Sequence, residues 1–140
     1  MSDELLRELW AESARNREQI VDKVQDGQRN DLIGLFKWVG VKDWQETMGD
    51  MARKTRQFSW IVTNIGVMEG GGGSEWSMSR AQFGLSAEIP AAAIEISPVS
   101  VAGEGMSVGA SWPDCAVEES FGEGVMADLE RWLGQLARGG

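Results

Sequence analysis

The hydrophobic pattern of this chain changes period at Phe58, and that change constrains the fold more than any other feature. Before it, apolar residues recur at three- and four-residue spacing, the period of an amphipathic helix. Leu5, Leu6, Leu9 and Trp10 form one such face, resumed by Ile20, Val21 and Val24 after the polar run 12–19. Ser2-Asp3-Glu4 supplies a cap residue and two acids where a helix N-terminus wants them, so the pattern predicts a helix over residues 3–26. Leu32, Ile33, Leu35, Phe36 and Val39 predict a short second helix ending at Gly40. Asp43 is placed to cap a third, carrying Trp44, Met48, Met51 and Ala52 and closing on Arg53-Lys54-Thr55-Arg56. That basic run reads as a solvated helix end before it reads as an anion site.

From Phe58 the runs are β-branched and aromatic. They predict strands over residues 58–65, 76–83, 92–101 and 106–112. The turn Ala102-Gly103-Glu104-Gly105 makes the last two an antiparallel hairpin. Pro98 cannot donate to a ladder and marks an edge or a bulge. A final helix is expected from about residue 118 to 137, with Phe121, Val125, Leu129, Trp132, Leu133 and Leu136 as its buried stripe. The expected architecture is one α+β domain over residues 1–140, an antiparallel or mixed four-stranded sheet covered by helices.

Composition enters where it excludes chemistry. The chain has 140 residues and no histidine, so no imidazole base, Ser-His-Asp or Cys-His nucleophile or His metal site can form within it. One cysteine, Cys115, permits no internal disulfide and no thiolate cluster. No cation neighbours it in sequence, and it reads as inert. The counts are 13 basic and 22 acidic residues, a net charge of -9, of which residues 61–140 carry most. An acidic surface argues against nucleic acid and against an anionic membrane. The charged N-terminus and the lack of a long apolar run are read as cytoplasmic. No cofactor or metal is expected.

Candidate motifs are few. The glycine run 70–73 lacks the Lys of a phosphate loop, and Gly103-x-Gly105 lacks the third dinucleotide-site glycine, so both read as turns. Glu118, Glu119 and Glu123 complement a helix N-terminus before they suggest a divalent cation. Glu95 shares a strand face with Ser97 and Val99, opposite Ile94, Ile96 and Pro98. It is the candidate catalytic acid/base if that face lines a pocket, and otherwise a solvent-facing carboxylate. Asn64 is a polar amide in an apolar strand, a ligand-orienting group or a loop partner. Trp60, Trp76 and Trp112 are the candidate apolar walls of a substrate site.

Taken together, residues 28–44, the run Ser59-Trp60-Ile61-Val62-Thr63-Asn64-Ile65-Gly66-Val67-Met68 and Trp76-Ser77-Met78-Ser79-Arg80-Ala81-Gln82-Phe83 resemble the C-terminal part of fungal alcohol-acetyltransferase-like proteins. So do Val99-Ser100-Val101-Ala102-Gly103, Ser111-Trp112 and Asp128-Leu129-Glu130-Arg131-Trp132-Leu133. The resemblance implies one lobe of a chloramphenicol-acetyltransferase-like fold, the superfamily of the condensation domains. In that family the catalytic H-x-x-x-D motif lies in the other lobe, and the family's F-S-Q landmark reads Phe83-Gly84-Leu85 here. Only Asn64 and Trp112 carry over, as channel-wall or scaffold positions. The implied function is a repurposed lobe of fungal secondary metabolism that binds an apolar intermediate and promotes its cyclisation or isomerisation. Its partner would be a second copy in a homodimer or a complementary acyltransferase lobe. Two alternatives stand beside this one: a split or remnant O-acetyltransferase lobe needing an H-x-x-x-D partner, and a non-catalytic interaction module.

Overall fold

The computed structural model describes residues 2–27, 43–56, 58–71, 75–86 and 91–138. The chain divides into two compact units, Met1–Trp44 with Leu129–Gly140 and Gln45–Asp128. The described residues hold three helices and a four-stranded sheet, an α+β set. The helix expected around residues 32–39 lies outside the described residues.

In the first unit, α1 spans Asp3–Asp26, as the periodicity predicts. Ser2 caps it: its Oγ accepts from Leu5 N at 3.3 Å, and Asp3 and Glu4 sit in the first turn. Such a cap contributes about 1 kcal/mol. Gly27, at φ 63°, ends the helix with its N–H on the Val24 carbonyl. On its surface Arg15 pairs with Glu12. No residue of α1 is buried, and Trp10, Ile20 and Val24 are each more than half exposed. Helices of this kind normally draw most of their stability from a packed apolar face. The second unit opens with most of α2, Trp44–Ala52, which also buries nothing, and Arg53 meets Asp50 at 2.6 Å on its surface.

The sheet comprises β1 (Phe58–Val62), β2 (Val67–Met68), β3 (Ala92–Val101) and β4 (Gly105–Ser111). β3 and β4 form the expected hairpin, with Glu104 N on the Val101 carbonyl and Gly103 at φ 78°. β1 and β2 both run parallel to β3. The sheet is therefore mixed, and the all-antiparallel alternative is excluded. Glu95 and Ile96 pair with β1 and β4 at once, and Ser100 and Val101 pair with β2 and β4 at once. A strand has two edges, so β1 and β2 share one edge of β3 and β4 takes the other.

β1 and β2 are one strand broken by a bulge. Val62 to Val67 is five residues where Ile96 to Ser100, opposite, is four. Pro98 faces the break. Ile96 accepts from Thr63 N and Ser100 donates to Gly66 O, so even-numbered residues of β3 direct their backbone groups to this edge. Pro98, midway, brings no N–H, and the facing chain leaves the ladder there. Proline thus stands in a central strand, tolerated because its missing donor points at a bulge.

The expected strand 76–83 is absent. Residues 75–86 run as an extended strap across one face of the hairpin instead. Met78 N donates to Gly70 O, a Cβ on Gly109 would lie 3.0 Å from Phe83 O, and Ser111 Oγ donates to Leu85 O at 2.7 Å. Lying over a face rather than beside an edge, the strap has no ladder to join. Its face is that of Ser97, Val99 and Val101, all buried. The last helix, α3, spans Glu119–Ala137 and buries only Gly122. Phe121 and Trp132, expected in its buried stripe, are 62% and 50% exposed.

Candidate functional site

Strand register gathers one polar group. Ile61 pairs with Glu95, so Thr63 projects on the same face two residues further on. Thr63 Oγ1 donates to Glu95 Oε1 at 3.2 Å, in a half-buried setting. Glu95 also lies opposite Ser111, whose hydroxyl is turned to the Leu85 carbonyl. Thr63, Glu95 and Ser111 thus form a polar row across three neighbouring strand positions, under the same face as the strap. Glu95 is neither the fully exposed carboxylate of a one-sided sheet nor a sealed one.

Asn64 does something else. Its Oδ1 accepts from Gly66 N at 2.8 Å, closing a side-chain turn inside the bulge. Gly66 takes φ 85° there, which a residue with a Cβ rarely adopts. Asn64 therefore shapes the bulge that sets Thr63 against Glu95.

The three tryptophans do not gather around Glu95. Trp60 pairs with Ile94 and projects on the opposite face of the sheet, 63% exposed. Trp76 is 84% exposed at the start of the strap. The half-buried Trp112 lays its indole against Gly122, where an added Cβ would come within 2.4 Å of the ring. A separate cleft of about 360 Å³ is lined by Ser79, Arg80, Ala81, Glu104, Gly105, Met106 and Ser107. It is polar, and Glu95 takes no part in it. Cys115 is exposed, as are Glu118, Glu119 and Glu123, and no group of three metal-ligating side chains occurs among the described residues.

Sequence reasoning singled out Glu95 but missed Thr63 and Ser111. Both are ordinary strand residues by type. Ser111 reaches Glu95 through the register of the hairpin, while Thr63 reaches it only through the offset between strands 32 residues apart, which period-two patterning within one strand does not carry.

No protein-family model, no curated protein and no solved structure matches the chain.

Proposed function

We propose that this chain is a non-catalytic interaction lobe, resembling the second lobe of an acyltransferase-like fold, that works by associating with another protein surface. The exposure of all five residues of β1 carries the reading. Phe58, Trp60 and Val62 there are 54%, 63% and 46% exposed, and no charge interrupts them. An exposed apolar strand of this kind favours aggregation unless a partner covers it. The unburied apolar residues of α1 point the same way. The covering partner is a second copy or a complementary acyltransferase lobe. No helix among the described residues is long and apolar enough to cross a membrane.

Light scattering on the purified chain, with a hydrophobic dye added, tests this. The expected result is either an assembly heavier than the 15.3 kDa chain or a monomer that takes up dye. A monomer that leaves the dye in water would sink the proposal.

The Thr63–Glu95 hydrogen bond favours a second reading, in which Glu95 is the acid/base of a cyclisation or isomerisation of an apolar intermediate. Glu95→Gln keeps an acceptor for Thr63 and removes the charge. It should leave the free energy of unfolding within about 0.5 kcal/mol of wild type while lowering turnover of any converted substrate about 100-fold or more. Full turnover by the variant would exclude that role.

A further inference from the structure

We infer that the β1–β2 edge pairs antiparallel with the same edge of a second copy, joining two sheets into one. The inference rests on the interaction reading above and commits it to one occupant. It stands on three observations.

The first is an open ladder. Thr63 N reaches Ile96 O, so odd-numbered residues of β1 turn their backbone groups to β3. The N–H and C=O of Phe58, Trp60 and Val62 therefore point away from the sheet. No strand among the described residues pairs that side.

The second is that the edge has neither charge nor proline, which leaves the bulge as its protection against strand addition. Natural edges carry a lysine, a proline or an inward charge to stop strand addition. Residues 57–68 carry no charged residue and no proline, although the rest of the chain is strongly acidic. The bulge at 63–66 lies in mid-edge and leaves Val67 to resume the exposed run, 67% exposed.

The third is charge at the two ends. Arg56 precedes the uncharged stretch and Glu69 follows it. Neither makes an ion pair with another described residue. An antiparallel two-fold arrangement lays the start of one edge against the end of the other. It therefore sets Arg56 of each copy beside Glu69 of its mate, at both ends. A parallel arrangement would instead stack arginine on arginine. The net charge of -9 opposes association at long range, but salt screens it beyond about 8 Å at physiological ionic strength. No acid lies within the edge itself.

Sedimentation equilibrium on the full chain and three variants tests this. Wild type should be a dimer at about 100 μM, a dissociation constant well below that value. Trp60→Pro removes an outward-facing N–H and the exposed indole while leaving the β3 side of the ladder intact, and should be monomeric at that concentration. Arg56→Glu alone should weaken the dimer about tenfold, since each copy loses a pair and gains a repulsion. Arg56→Glu with Glu69→Arg should restore the wild-type constant. The charge pair lies on the surface, so it reports on assembly even if Trp60→Pro fails to fold. A monomeric wild type overturns the inference, as does a dimer indifferent to the charge reversals. Amide exchange separates that failure from failure of the broader reading. In a monomer, fast exchange at Trp60 and Val62 leaves the interaction lobe standing with a different partner, whereas protected amides there overturn both.

Discussion

Gly122→Ala is expected to destabilise the protein, against the intrinsic preference of the helix that carries it. Alanine in a helix interior is normally worth about 1 kcal/mol over glycine. At Gly122 the new methyl would stand 2.4 Å from two ring carbons of Trp112 and 2.8 Å from a third. The indole is rigid and half-buried, so it must move as a unit. Overpacking of this sort costs about 1–3 kcal/mol, which outweighs the helical gain. At Gly124, two residues along, an added methyl would meet nothing within 4 Å. Gly124→Ala should therefore raise stability by up to about 1 kcal/mol. Urea unfolding of the two variants should move the midpoint in opposite directions. The same Gly122→Ala change made in a Trp112→Ala background should become neutral or stabilising, since the clash has gone. A stabilising Gly122→Ala in the wild-type background would mean that Trp112 does not pack there.

Gly70→Ala is expected to lift the strap from the sheet. A Cβ on Gly70 would lie 2.9 Å from the Met78 carbonyl oxygen and 3.3 Å from Val101 Cγ1. The first neighbour is backbone, which cannot swing aside as a side-chain tip does. Met78 N donates to Gly70 O at 2.6 Å, so a shift that relieves the clash breaks the strap's first anchor. The cost should again be about 1–3 kcal/mol. The effect has a direction that a general loss of stability lacks. Val99 and Val101, buried under the strap at 2% and 4% exposure, should become accessible. Amide exchange should therefore quicken at Met78 and along the strap before global unfolding, and dye uptake should rise. A variant with unchanged exchange at Met78 would show that Gly70 and the strap are not in contact.

The ends of the regular elements were legible where chemistry is local. Ser2 and Gly27 bracket α1 because a hydroxyl cap and a positive-φ residue act within a few residues. The 92–101 strand and the Gly103 turn were legible for the same reason. Residues 76–83 show where that logic ends. Their alternation is that of a strand, yet they lie across the hairpin, with Phe83 over Gly109. A period of two states that a segment is extended, not that it finds a ladder. The stripe of α3 fails in a related way. Phe121 and Trp132 are placed by helical period among apolar neighbours, but burial needs a facing surface, and they remain 62% and 50% exposed. At the candidate site, Glu95 could be named from its strand alone, whereas Thr63 and Ser111 could not.

The sequence by itself determined the first helix, the strand-rich middle, the hairpin, the absence of imidazole chemistry and the acidic balance of charge, because all of these follow from residue type and near-neighbour spacing. Tertiary structure alone decided that β1 and β2 run parallel to β3, that Pro98 faces a bulge, that Thr63 meets Glu95, and that the uncharged run forms an open edge. Each of these depends on the register between strands far apart in the chain. Register is a property of pairs of segments, set by which combination buries Val99 and Ser97 and leaves the fewest backbone groups unpaired.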